Sequence, residues 1–482
     1  MCVCAKLHSQ PTKVASFHGC NFWRVRVALL AHFRQVGETE MNERYKFWQC
    51  SYRGYDRSSN CSVAMEGYDS PMPCSREYDI HDEQMHVVVE PEVLPPRSAV
   101  KRRTDEYSSA EPKRLCRFAP RLVLVASNEE CRLADKLSCH PNRSTVFYQL
   151  LLAYRSFWKE KITFIPPESA SAADLLLFHS ADYVEALRSA HARSEDGLLD
   201  LAEFGLCDDC APFEEVWNYS TLIAGGSIVA AKKLMNDSCD IAVHWDGGRH
   251  HAHRDSAAGF CFVNDVVLSI VFLLKKFTRV LYVDIDIHHC DGVEEAFFFS
   301  DKVFCLSFHH KKPGFFPGTG CASRTGAGPG RAKTLNVPLA EFTSDETFGR
   351  VFEAVASLVC STFEPDVIVL ECGADGLAGD RLGCWNLTTN AYVRAATLVR
   401  SWRRPLLVLG GGGYNLPNTA RCWTAVTAAL AGAALPDQIP DHSCFALYGP
   451  SFSLSVEEML REDANAEADV AETLKSVQSL LA

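Results

Sequence analysis

The chain has 482 residues, 47% hydrophobic and 22% charged, which is enough apolar material for a large globular core. Its formal net charge of −12 argues against a global electrostatic grip on nucleic acid, so no direct sequence-specific nucleic-acid partner is expected. The 21 cysteines lack framework spacing, and neither a secretory leader nor an apolar run of roughly 18 residues is visible. An intracellular protein with no membrane partner is therefore expected.

Residues 1–118 form a divergent arm of short polar stretches with a Pro-rich passage, in which helical spacing persists only over 22–35. Much of the arm is expected to be flexible. It ends in Lys101-Arg102-Arg103 and, after a spacer, Lys113-Arg114 with Arg117 close behind. Two basic clusters so separated look like a bipartite nuclear-import signal; the bland alternative is a solvated linker.

From about 120 strands and helices alternate. Arg121–Ala126 reads as a strand, 143–158 as a helix and Val216–Met235 as a long helix with Gly225-Gly226 at a close approach. Strands follow at Ile241–Trp245, Arg279–Ile285, 302–308, 334–338, 366–371 and 405–410. Between and after them come helices at 263–276, 292–299, 345–361, 390–402 and 417–432. Strands apolar throughout and joined by helices predict one α/β domain over 119–455, its parallel sheet covered on both faces. Residues 456–482 read as a C-terminal helical tail.

The densest chemistry lies in Val283-Asp284-Ile285-Asp286-Ile287-His288-His289-Cys290-Asp291-Gly292. If the strand stays extended, Asp284, Asp286 and His288 point the same way, just past its C-terminal end. Burying that much negative charge calls for a cation. Asp375, in Cys372-Gly373-Ala374-Asp375-Gly376 after the next strand, is the natural third ligand. One imidazole and two carboxylates suit a catalytic zinc, with ferrous iron or cobalt also admissible. His250-His251 follows Gly247-Gly248, and Asp284 and Asp291 can each orient one ring for acid–base work. Gly410-Gly411-Gly412-Gly413-Tyr414 lacks the spacing of a phosphate or dinucleotide loop. Instead it lets the backbone approach closely and presents the Tyr414 hydroxyl as an oxyanion donor. Phe260, in Gly259-Phe260-Cys261, and Phe315-Phe316 offer an aromatic channel, or three core phenylalanines.

These motifs together resemble the class I zinc-dependent histone deacetylases over about 121–452. The resemblance implies an arginase/deacetylase fold, α/β with an eight-stranded parallel sheet sandwiched by helices. It assigns zinc to Asp286, His288 and Asp375, and makes His250 and His251 a dyad backed by Asp284 and Asp291. His251 becomes the main base, and Tyr414 polarises the scissile carbonyl. Gly259, Phe260 and Phe316 belong to the acetyl-lysine site, Asp209 to its rim as holder of the substrate backbone, and Arg143 to an internal pocket beneath the zinc. A structural K⁺ is implied at Asp284–His288 and around Ser307.

Cys290 stands where the family has glycine, and Lys333 where it has an aromatic residue near a second potassium site. Arg381-Leu382 matches the corepressor-dependent members, but Pro417 replaces a basic inositol-phosphate contact, which favours activity without a corepressor. At Cys290 either the turn is ordinary and the thiol inert, or the thiol is recruited; the neighbouring carboxylates favour inertness.

The expected reaction is hydrolysis of Nε-acetyl-lysine in histones and other proteins, in the nucleus, with the cytoplasm as a further location. An arginase-like ureohydrolase would need two manganese ions and further aspartates, yet Gly373 stands two residues before Asp375. An inactive acyl-lysine reader or scaffold predicts a lost ligand, dyad residue or tyrosine, and all are present.

Overall fold

A computed structural model describes residues 121–192 and 198–481; the expectations for the arm 1–118 and its basic clusters lie outside the described residues. Eight strands are present: β1 (Leu122–Val125), β2 (Ile162–Ile165), β3 (Ile241–His244), β4 (Val280–Asp284), β5 (Val303–His310), β6 (Thr334–Leu339), β7 (Val367–Glu371) and β8 (Leu406–Leu409). They form one sheet in the order β2-β1-β3-β8-β7-β4-β5-β6, and every pairing is parallel. Strand alternation divides the core in two. Leu122, Val243, Leu281 and Ile368 face one apolar cluster, and Val123, Ala242, Tyr282 and Val369 face the other.

Helices Arg143–Ala153, Asp345–Phe363, Thr389–Ser401 and Leu416–Ala431 cover the first face, and Val216–Met235 and Asp265–Leu273 the second. The glycine pair in Val216–Met235 is a true close approach. A Cβ on Gly225 would sit 1.7 Å from the Glu168 carbonyl oxygen, and one on Gly226 would sit 2.5 Å from His244 Nε2.

Sequence pattern predicts seven strands, and the eighth is the edge strand β2. Its four residues are only partly buried and run straight into Pro166-Pro167, so they carry neither a long apolar run nor alternation. The 143–158 helix is broken at Tyr154 into Arg143–Ala153 and Arg155–Trp158. The tail is packed rather than free: Val470 and Val477 of helix Glu467–Leu481 join the first core, and Glu467 pairs with Arg350. Among the described residues no helix is long and apolar enough to cross a membrane.

Candidate active site

The sheet order places β3, β8, β7 and β4 side by side, and the loop after each delivers part of one site. His250-His251 follows β3, Gly410–Tyr414 follows β8, Asp375 follows β7, and Asp286 and His288 follow β4. Register aligns His244, Leu409, Glu371 and Asp284, the last residues of these strands, in one row with Ser307 in the middle of β5. That row is the floor beneath the site.

Asp286, His288 and Asp375 each offer a ligand atom within 4.8 Å of the others, and all three are buried. His288 Nδ1 lies 3.2 Å from Asp286 Oδ1 and 2.9 Å from Asp375 Oδ2. Burial opposes a charge on His288, yet Asp375 and the adjoining Asp286 outweigh it and hold its pKa at about 10. Two buried carboxylates thus demand positive charge between them, and a donor set of two oxygens and one nitrogen fits a divalent cation. The expected strand alternation does not produce this arrangement. β4 ends at Asp284, and Asp286 and His288 are carried by the bend beyond it, with each backbone N–H tied to the preceding carboxylate: Asp286 to Asp284 and His288 to Asp286, both at 2.9 Å.

The glycines around the cluster are sterically required. A Cβ on Gly373 would meet Asp286 Oδ2 at 1.9 Å, and one on Gly412 would meet Asp375 Oδ2 at 2.1 Å. The extra aspartate that a two-metal ureohydrolase needs has no room at 373. Gly412 N–H donates to Asp286 Oδ2 at 2.8 Å, and Ile287 N–H to Asp375 Oδ1 at 3.0 Å. These bonds hold both carboxylates in place.

Beside the cluster, His250 Nδ1 is 2.8 Å from Asp284 Oδ2 and His251 Nδ1 is 2.8 Å from Asp291 Oδ1. The Tyr282 hydroxyl donates to the same Asp284 oxygen at 2.5 Å. The two imidazoles are 3.9 Å apart between centroids and behave oppositely. Burial opposes protonation of His250, but Asp284 and Asp286 raise its pKa to about 9. Burial and the neighbouring charge of His250 push His251 down to about 4, leaving it a neutral proton acceptor. Burial also pushes the Tyr414 phenol well up, so its hydroxyl stays protonated and able to donate.

Tyr414, Phe260 and Phe316 surround the cluster. The Phe260 ring is 5.7 Å from Tyr414, and Phe316, 41% exposed, stands edge-on to His251 at 4.8 Å. Phe315 turns inward and stacks on His288 at 5.1 Å. Gly259 must be glycine, since its φ is +55° and a Cβ would lie 2.6 Å from the His251 ring. Asp209 is half-buried, and one of its oxygens accepts the Gly259 N–H at 3.0 Å. Arg143 is fully buried: Nη1 donates to the Gly411 and Gly413 carbonyls at 2.9 and 3.2 Å, bracing the glycine loop from beneath.

Several residues here carry no recognisable signal in the sequence. Asp380 accepts the backbone N–H groups of Leu382, Gly383, Tyr414 and Asn415. A fully buried chain also supports the turn before His250. His244 Nε2 is 2.7 Å from Glu130 Oε1, and His244 Nδ1 is 2.7 Å from Ser227 Oγ, which donates to Asp265. Asp265 then accepts the N–H groups of Gly248 and Arg249 at 2.9 and 2.7 Å. Burial opposes charge on both partners and raises the Glu130 carboxyl, while Glu130 raises the pKa of His244 above the usual imidazole value, so the two share a buried hydrogen bond. All that the sequence offers is a set of charged residues in apolar strands and helices, with nothing to say which would meet.

The departures also find places. Cys290 has φ −75°, needs no glycine, and is buried with Sγ 3.8 Å from Cys305 Sγ. Burial is the largest cause raising its pKa, ahead of the carboxylates. Ser307 is Asp284's register partner, but its hydroxyl is within 2.9 Å of His309 Nδ1. The Lys333 ammonium lies over the Phe363 ring at 5.4 Å.

A family model described as the histone deacetylase domain matches residues 137–430. Histone deacetylase 8 of Danio rerio is 40% identical over 363 residues, covering 75% of this chain and 95% of that protein. Its counterpart from Xenopus tropicalis is 41% identical over 360 residues, 74% and 97% of the two chains. Histone deacetylase 1 of Homo sapiens is 43% identical over 317 residues, 66% of this chain and 65% of that one.

Proposed function

This chain belongs to the class I histone deacetylase family, and from that premise we propose that it hydrolyses Nε-acetyl-lysine in histones and other nuclear proteins through a zinc centre held by Asp286, His288 and Asp375. The observation that carries the reading is the buried two-carboxylate, one-imidazole cluster beside two histidines each paired with its own carboxylate. Zinc in that cluster supplies Lewis acidity toward the acetyl carbonyl and the attacking water.

The chain's own groups do the rest. Neutral His251, oriented by Asp291, accepts the proton of the attacking water, and His250, charged and oriented by Asp284, sets the field around it. The Tyr414 hydroxyl donates to the oxyanion as the carbonyl becomes tetrahedral. One of the dyad histidines then protonates the departing lysine amine. Gly259, Phe260 and Phe316 line the path of the acetyl-lysine chain and keep water from it, and Asp209 at the rim holds the substrate backbone. The oxygens of Asp284 and Ser307 suit a structural potassium ion. The proline at 417 favours activity without a corepressor.

The test is turnover of a panel of acyl-lysine peptides by the purified full chain, with and without a chelator, alongside metal analysis. Acetate release that disappears on chelation and returns with zinc is expected, with about one zinc per chain. Full activity in demonstrably metal-free protein would refute it.

A further inference from the structure

His253 lies two residues after His251, and neither catalysis nor metal binding as described makes use of it. Its ring sits between two carboxylates of helix Asp291–Phe297. Nδ1 is 2.6 Å from Glu295 Oε2, and Nε2 is 3.5 Å from Asp291 Oδ2. Asp291 gives its other oxygen, Oδ1, to His251. The carboxylate is therefore divided between two imidazoles, the inner one at the reaction centre and the outer one 25% exposed. Only an imidazolium carries a proton on both ring nitrogens, and both of these nitrogens face carboxylate oxygens.

We propose that His253 is a positioning residue for the dyad: as an imidazolium it holds the outer oxygen of Asp291 and so fixes the carboxylate that orients His251. This rests on the reading of His251 as the base. Without the outer cation, Asp291 keeps only the contacts of Oδ1, to His251 Nδ1 at 2.8 Å and to the Gly292 N–H at 3.0 Å, and the ring it directs is held less firmly. Titratable groups near His253 come from three segments. Helix Asp291–Phe297 contributes Asp291 and Glu295, and the loop itself carries Arg254 and Asp255. From the segment ahead of helix Ala181–Ser189 comes His179, whose Nδ1 faces the Arg254 carbonyl at 3.3 Å. The Asp291 carboxylate outweighs burial and, with Glu295, raises the pKa of His253 to about 9. The clamp is thus present below that pH and lost above it.

The experiment uses the zinc-loaded full chain with an acetyl-lysine peptide from pH 6.5 to 10. His253→Gln should lower kcat roughly 5- to 20-fold near pH 7.5 and change KM less than about two-fold, as expected when a catalytic group is misaligned while substrate binding is intact. His253→Lys, which keeps the cation, should stay within about three-fold of the parent kcat on the same reasoning. The ratio of parent to His253→Gln should shrink as pH rises through about 9, and in a Glu295→Gln background it should shrink at lower pH. A purely structural role gives equal damage in His253→Gln and His253→Lys at a constant ratio; that result, or a His253→Gln variant matching the parent at every pH, overturns the proposal. An inactive parent instead overturns the deacetylase reading itself, and this inference with it.

Discussion

The carboxylate of Asp380 holds the backbone of Tyr414, accepting its N–H at 2.7 Å. The same side chain accepts Asn415 N–H at 3.1 Å, Leu382 N–H at 2.8 Å and Gly383 N–H at 3.1 Å, so one residue ties the loop after β7 to the loop after β8. Asp380→Ala leaves four amides to water and is expected to destabilise the fold by about 1–3 kcal/mol. On the proposed role of Tyr414 in the transition state, kcat should fall at least roughly 10-fold with little change in KM. Urea unfolding and steady-state kinetics on one preparation measure both.

Removing the phenol itself is the cleaner probe. Tyr414→Phe keeps the ring against Phe260 and should retain the metal, while turnover drops by roughly 10²-fold or more. Metal analysis beside kinetics checks this; parental turnover would strip Tyr414 of its role.

Cys290→Gly tests whether the thiol matters. The residue has an ordinary negative φ and a fully buried side chain against Cys305, so glycine gains nothing in backbone fit and leaves a small void. A loss of about 1–2 kcal/mol is expected, from the void and the freer unfolded chain. Zinc content and deacetylation should persist. A variant that keeps zinc yet loses activity or peroxide sensitivity would give the thiol a function.

Acid should weaken the fold through His179. Its Nε2 accepts the Asn264 N–H at 3.0 Å and its Nδ1 faces the Arg254 carbonyl, an arrangement only the neutral ring satisfies. Burial lowers its pKa to about 4 from the usual 6.5, so below 6.5 the unfolded chain binds a proton that the folded one refuses. This contribution is full above pH 6.5, falls as pH drops toward 4 and is flat below, for a total of about 3 kcal/mol at roughly 1.4 per unit. Unfolding free energies of the parent and His179→Gln between pH 7 and 4 should differ in slope by about one proton.

Much of the fold and the site was legible because the signals were local. Seven of the strands are mostly apolar, and the acids and histidines of the site lie within a few residues after three of them. What failed was what depends on distant partners. β2 is a strand because β1 lies beside it, and its own four residues are too short a run before the prolines to signal one. The alternation argument for Asp286 and His288 stopped where β4 stops. Asp380 and Asp265 look like ordinary turn and helix-start acids until the amides they accept are known.

The Glu130–His244 pair also constrains how this sequence can drift. A methyl group at Gly226 would lie 2.5 Å from His244 Nε2 and 2.9 Å from Glu130 Oε1, so alanine is excluded while both polar side chains remain. Losing either of them first strands a buried polar group without its partner, which typically costs about 1–3 kcal/mol. No order of single substitutions through these three positions is mild. They form an epistatic set, to be inherited or exchanged together, and single-site scans will score each as intolerant although none touches the metal cluster.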